Sequence, residues 1–205
     1  MRFVNNVNEL GNAELIIIPG SKNTLADLAF LHEKGFAAEL KNLFRNTWIL
    51  GLCGGCQMLG ESVDDPNDME AGGQGLGLGS LPMTTVLEGD KQLEKREYQG
   101  QNLLEGLCWT GYEIHLGRSE IRSSELESIV KNDASLGVID RKQKIIGTYI
   151  HGWLESPDII RRLLALVTPE PFDIPISFQQ TKEREMDELA IFLEEYCDVE
   201  SILSN

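Results

Sequence analysis

Positive charge is scarce in this chain of 205 residues: 18 lysines and arginines stand against 33 aspartates and glutamates, a formal net charge of −15. Phosphate backbones and anionic membrane surfaces attract clustered basic groups, so this balance argues against nucleic-acid or membrane-surface binding. Small solutes or a protein partner fit better. Cysteine is also sparse. Cys53, Cys56, Cys108 and Cys197 are too few and too irregularly spaced for a secreted disulfide framework. Beyond Cys53-x-x-Cys56 there is no second close pair for a zinc or iron–sulfur site, and no metal is expected. The opening Met1-Arg2-Phe3-Val4-Asn5-Asn6 lacks the apolar core of a signal peptide, and no stretch approaches the ~20 apolar residues of a membrane span. The chain is therefore expected to be cytoplasmic. Missing too is any G-x-x-x-x-G-K-[ST] phosphate loop. The glycines from Gly72 to Gly79 do not make a dinucleotide fingerprint either, because Pro82 and β-branched residues follow them instead of a helix.

What is present is 41% hydrophobic residues, enough for one well-packed core across residues 1–205. Leu15-Ile16-Ile17-Ile18, closed by Pro19-Gly20-Ser21, reads as a parallel strand buried on both faces. Asn23 or Thr24 can cap a helix with apolar positions Leu25, Leu28 and Leu31, and Gly35 separates it from a second helix carrying Phe36, Leu40 and Leu43. Trp48 to Leu52 is the next strand. Strand, helix, strand, helix is the order of a right-handed crossover unit in an open parallel sheet. Glu61 to Ser80 reads as loop or hairpin, and Leu81 to Val130 as short strands and turns. Leu136–Ile139 and Ile145–Ile150 read as two strands joined by a charged turn. Ser156-Pro157 marks a helix start, and Met186, Leu189, Leu193 and Tyr196 predict a last helix with one packed face, Cys197 packing with it.

The densest chemistry lies in Thr47-Trp48-Ile49-Leu50-Gly51-Leu52-Cys53-Gly54-Gly55-Cys56-Gln57. An apolar run ends in a glycine-bracketed cysteine and a helix-forming pattern follows, which places a thiol on a sharp strand-to-helix turn. Unpaired N–H groups at the helix start favour thiolate and bind an oxyanion. A cysteine nucleophile also needs a base. Of three histidines, His151 directly follows an apolar strand and precedes Gly152, at the sheet edge where open parallel sheets hold their sites. His115 is the second candidate, and His32, between charged neighbours, reads as surface. Oxyanion donors are expected from Gly54 and, if the two strand ends lie side by side, from Gly20. The same Cys53-x-x-Cys56 also suits a thiol-disulfide oxidoreductase, and a catalytically silent binding domain is a further reading.

Gly51-x-Cys53-x-Gly55-x-Gln57 is similar to the nucleophile motif of class I glutamine amidotransferases, and the wider match resembles the glutaminase domains of cobyric acid synthases. The segments that carry this resemblance are Pro19 to Thr24 with Asp27-Leu28, Gly111-Tyr112-Glu113-Ile114-His115-Leu116-Gly117-Arg118, and Gly147-Thr148-Tyr149-Ile150-His151-Gly152. Asp65-Pro66, Gly75-Leu76-Gly77 and Lys91 also fall on the family pattern, and the match runs from about residue 2 to the end.

The resemblance implies an α/β fold, an open, mostly parallel, flavodoxin-like sheet flanked by helices with an antiparallel portion. It also implies glutamine hydrolysis through a Cys53 thioester, with His151 as base and then acid. Gly20 and Gly54 would form the oxyanion hole, Gln57 would help hold the glutamine, and Arg118 would bind its α-carboxylate with a guanidinium fork. Ammonia would go to an ATP-dependent synthetase domain or subunit for amidation of corrin-ring carboxylates. That synthetase is absent from this chain, so ATP and magnesium are expected only there. The related cell-wall glutaminases are the alternative within the family, although Pro19 to Thr24 favours the corrin enzymes. Two departures stand out. Many class I enzymes carry His-Pro-Glu, whereas Gly152 and Trp153 follow His151 here, which leaves Glu113 or Glu155 as substitutes for the orienting carboxylate. Cys56 stands where the family often has an aromatic residue.

Overall fold

Two short apolar runs lie side by side in the structure, a computed structural model that describes residues 1–89, 93–170 and 178–197. Leu15–Ile18 forms β1, and after α1 (Thr24–Glu33) and α2 (Phe36–Leu43) the chain returns as β2 (Trp48–Leu52), parallel to β1 with Ile18 opposite Gly51. The Asn23 side chain accepts from the N–H of Ala26 and caps α1, while Gly35, at φ 81°, makes the left-handed turn into α2. The short α3 (Gly54–Leu59) follows β2 at once and is buried along its whole length.

From there the chain builds β3 (Ser62–Asp65), β4 (Gly73–Leu76), β5 (Met83–Val86), β6 (Glu94–Gln99), β7 (Cys108–Glu113), β8 (Arg118–Ile121) and β9 (Glu127–Ser128). It returns to the central sheet through β10 (Gly137–Asp140) and β11 (Ile145–Thr148), then adds β12 (Ile150–His151), α4 (Pro157–Leu164) and α5 (Phe178–Tyr196). The central sheet has the order β1-β2-β11-β10-β9. β1 and β11 run parallel to β2 on either side of it, and β10 and β9 complete the sheet antiparallel. Two further sheets, β4-β3-β5-β8 and β12-β7-β6, hold the remaining strands. The α/β class with an antiparallel portion is therefore present, and the outlying sheets are antiparallel apart from the parallel β3–β5 pair. β2 sits at the heart of the core, with Ile49 and Leu50 wholly buried against Leu59 of α3 and the Ile145–Ile146 pair of β11.

Four expectations change. β1 is not buried on both faces: it is the outermost strand of its sheet among the described residues, and Ile17 stays 37% exposed. The run Ile145–Ile150 is not one strand. It breaks at Tyr149, whose N–H donates to Leu136 O, so that Ile150 and His151 join β7 in another sheet. Ser156 precedes α4 but its side chain makes no capping bond, and Pro157 at the first helical position defines that start. Finally, α5 has no buried residue: its Leu189 is 49% exposed, and Met186, Leu193, Tyr196 and Cys197 are exposed as well. Helical periodicity identifies an apolar face but does not say that another element covers it.

Candidate active site

Cys53 joins β2 to α3 with φ 51° and ψ −111°, a conformation that L-residues rarely adopt. Its neighbours have no room for side chains. A Cβ at Gly55 would lie 2.1 Å from Ile18 O, and one at Gly54 would lie 2.8 Å from the backbone nitrogen of Ser21. The bracketing glycines therefore let the cysteine turn press directly on the loop that leaves β1. Gly20 sits against Cys53, where an added Cβ would be 3.6 Å from Cys53 Cβ. That loop is braced internally: the Ser21 hydroxyl donates to Asp27 Oδ2 at 2.5 Å and accepts from the N–H of Asn23 at 3.0 Å. The side-by-side strand ends required for a Gly20–Gly54 oxyanion hole are thus in place, with Gly54 opening the first turn of α3, where N–H groups have no intrahelical acceptor.

The backbone N–H of Cys53 donates to Thr148 O at 2.8 Å, which ties this turn to the end of β11. Its thiol donates to Ile114 O at 3.4 Å. Three residues beyond Thr148, His151 pairs with Tyr112 across β12 and β7, and the imidazole stacks on the Tyr112 ring at 5.3 Å with planes 11° apart. Its Nε2 is buried. Cys53 and His151 line one cavity of about 320 Å³, shared with Leu52, Ile150, Gly152 and Glu155. Of the two carboxylates considered as orienting groups, Glu155 lines this cavity. Glu113 is committed elsewhere: it accepts from Arg96 at 2.5 Å and from the Tyr98 hydroxyl at 2.9 Å, and it lies 3.8 Å from His115.

Gln57 is only 3% exposed, and protein groups bind both ends of its carboxamide. Nε2 donates to Leu116 O at 2.9 Å, and Oε1 accepts from the Thr24 hydroxyl at 3.3 Å. Arg118 heads β8, exposed, two residues beyond Leu116; it does not line the Cys53–His151 cavity. The structure therefore brings Cys53 and His151 to one cavity, with Gly20, Gly54 and Gln57 on the loop and helix next to Cys53, and leaves Arg118 exposed and outside that cavity. His115 packs its ring against Tyr149 at 4.3 Å, with Nδ1 3.2 Å from Gly117 O. His32 is exposed, as its charged neighbours suggest, with Nε2 2.8 Å from Leu76 O. Lys91 lies outside the described residues.

Cys53 and Cys56 are both free thiols, and they differ sharply in environment. Burial, reinforced by Cys53, pushes the Cys56 thiol up to about 12. Such a group stays protonated at neutral pH and is a poor thiol-exchange partner. Burial likewise raises the Tyr149 phenol, which hydrogen bonds to Ser119 beneath the site. Three participants escaped sequence reasoning: Ile114, whose backbone meets the thiol, Tyr112, which stacks on the imidazole, and Glu70, which meets Thr24. Backbone contacts and cross-strand stacking leave no residue pattern to read.

Among the described residues, no three His, Cys, Asp or Glu side chains are grouped to hold a metal ion, and no helix is long and apolar enough to cross a membrane. A family model of the CobB/CobQ-like glutamine amidotransferase domain matches residues 1–159. The cobyric acid synthases of Caldanaerobacter subterraneus and Vibrio vulnificus are 33% and 37% identical to this chain over 98% of its length. These matches cover 44% and 42% of the relatives, so the chain spans less than half the length of the curated proteins it resembles. A crystal structure of a glutamine amidotransferase superposes with a TM-score of 0.64 at 18% identity, covering 80% of this chain and 84% of that one. A putative GMP synthase protein from Thermoplasma acidophilum gives 0.55 at 16% identity, covering 89% of this chain and 80% of the other. At these identities the two structures show a shared fold. With the family model and the cobyric acid synthases in agreement over the same residues, the chain belongs to the CobB/CobQ-like glutamine amidotransferase domain family.

Proposed function

We propose that this domain hydrolyses glutamine to glutamate and ammonia through a thioester on Cys53, and that the ammonia is used to amidate corrin-ring carboxylates in cobalamin synthesis. The observation that carries the reading is the thiol on a strained turn, sharing one cavity with His151 and lying against Gly20. His151 takes the thiol proton as sulfur attacks the side-chain amide carbon, and returns it to the leaving nitrogen, which departs as ammonia. Water then attacks the thioester, again losing a proton to His151, and glutamate leaves as the thiol re-forms. The N–H groups of Gly20 and Gly54 hold the negative oxygen of each tetrahedral intermediate. Glu155 is the carboxylate placed to orient the imidazole, because Glu113 is already engaged by Arg96 and Tyr98. Arg118, two residues beyond the Leu116 held by Gln57, binds the substrate α-carboxylate.

None of these steps draws on a cofactor in this chain. ATP and magnesium belong to the amide-forming half, a synthetase domain or subunit that covers the site and receives the ammonia before it escapes. The relatives' names support the corrin assignment over a cell-wall role. A dithiol redox role is disfavoured by the buried, protonated Cys56. Glutamate release from glutamine tests the mechanism. Cys53→Ala and His151→Ala should abolish it, while Cys56→Ala should retain it within about threefold, since that thiol touches no reacting atom. Activity that survives Cys53→Ala would overturn the thioester.

A further inference from the structure

Asp65, buried at the end of β3, accepts backbone N–H groups from Met69, Glu70, Ala71 and Gly72 at 2.7, 2.9, 3.1 and 2.9 Å. This clasp fixes the turn so that the Glu70 carboxylate meets the first residue of α1. Oε2 accepts from the Thr24 N–H at 2.5 Å, and Oε1 accepts from the Thr24 hydroxyl at 3.3 Å. The same hydroxyl, on a residue only 1% exposed, lies equally 3.3 Å from Gln57 Oε1, so its single proton is shared between the two oxygens. Gln57 then holds Leu116 O through Nε2. Only the amide nitrogen can donate to a carbonyl, so the Leu116 bond sets the amide's orientation and leaves its oxygen to Thr24. Leu116 stands midway between Ile114, whose carbonyl meets the Cys53 thiol, and Arg118.

We propose that Thr24 and Glu70 are positioning residues that act through Gln57 to hold the 114–118 segment beside Cys53, in the register at which Arg118 meets the glutamine α-carboxylate. The substrate part of this inference rests on the proposed glutaminase activity; the network itself does not. Without the Thr24 hydroxyl, the buried Gln57 oxygen loses its donor, the carboxamide is no longer held from both ends, and the segment loosens. Although the segment's Ile114 carbonyl meets the thiol, Cys53 is anchored by its backbone bond to Thr148 O and His151 by its pairing with Tyr112, neither of which runs through Gln57. The chemical step is therefore spared and substrate capture is not.

Thr24→Val keeps the side-chain shape and removes the hydroxyl, and Thr24→Ser restores it. Thr24→Val should raise KM for glutamine about tenfold while kcat stays within about twofold, and Thr24→Ser should match the wild type. Amide hydrogen exchange across residues 114–118, read without glutamine, should accelerate about tenfold in Thr24→Val and not in Thr24→Ser. Unchanged exchange in Thr24→Val, equally fast exchange in Thr24→Ser, or a loss confined to kcat would each overturn the proposal. If Thr24→Val does not fold, Glu70→Gln tests the same link with both readouts. A wild type that releases no glutamate refutes the glutaminase reading, and the exchange measurement still decides the network.

Discussion

At the scale of single residues, Cys53 carries two costs of its position. Its φ of 51° with ψ −111° is backbone strain, which typically costs about 1–3 kcal/mol at a non-glycine residue. Cys53→Gly should therefore be more stable to urea than Cys53→Ala by about 1 kcal/mol, the strain relief outweighing glycine's greater unfolded-state freedom. A Cys53→Gly variant less stable than Cys53→Ala would show that the turn is unstrained. The second cost is steric, borne by the neighbouring glycines that must leave the turn room. Cys56 makes the opposite case. Its thiol, pushed up to about 12 by burial, should resist iodoacetamide in the native protein at about pH 7.5, while the exposed Cys108 and Cys197 are modified. Peptide mass spectrometry reads each cysteine separately, and ready labelling of Cys56 would contradict the buried environment. Much of this residue-level picture is legible in the sequence, because glycines at 51, 54 and 55 encode the absence of space around the turn. The engagement of Glu113 is not, since it depends on Arg96 and Tyr98 reaching it from a neighbouring strand.

At the scale of elements, the Asp65 clasp determines where the 66–72 turn sits. Burial alone would raise its carboxyl, but four backbone N–H bonds outweigh that and hold it below the ordinary range. A depressed native pKa contributes stability that is complete above the unfolded value, about 3.9, and is lost as pH falls through the native one. The stability gap between wild type and Asp65→Asn should accordingly be widest near pH 6 and narrow below about pH 4. Urea midpoints at about pH 6 and pH 3 check this, and a gap that does not change with pH would count against the clasp. Gly55→Ala probes the packing of α3 on the β1 loop, and overlap with Ile18 O should cost about 3 kcal/mol or more. The elements themselves are readable wherever local signals agree, as with the Asn23 cap and the Gly35 break. The change of sheet at Tyr149 is not: Ile145 to Ile150 is uniformly strand-like, and only the distant Leu136 carbonyl, by capturing the Tyr149 N–H, divides it.

At the scale of the whole molecule, stability is concentrated around β2 and α3 and absent from α5. Ile49→Ala, at a wholly buried position, should cost about 2–5 kcal/mol. Leu189→Glu on the uncovered face of α5 should change stability by less than about 0.5 kcal/mol. Chemical denaturation of the two variants makes the comparison, and a large loss from Leu189→Glu would mean that the helix face is packed in solution. Apolar period announces this helix in the sequence, but a period carries no information about what lies opposite. The central strands are easier to locate, since a continuous apolar run marks each one, although neither the exposure of Ile17 nor the end of β11 at Thr148 is written in that run. The backbone bond from Cys53 to Thr148 bears on how such a domain can change over time. Because the Cys53 N–H is tied to Thr148, three residues before His151, Cys53 and His151 are measured from the same point of the sheet. The long excursion of chain between them touches the pair at Tyr112 and Ile114, and its turns away from those two residues can gain or lose residues without retuning it. Insertions and deletions are therefore expected to accumulate in those turns in related sequences, while Cys53 and His151 keep their separation in space.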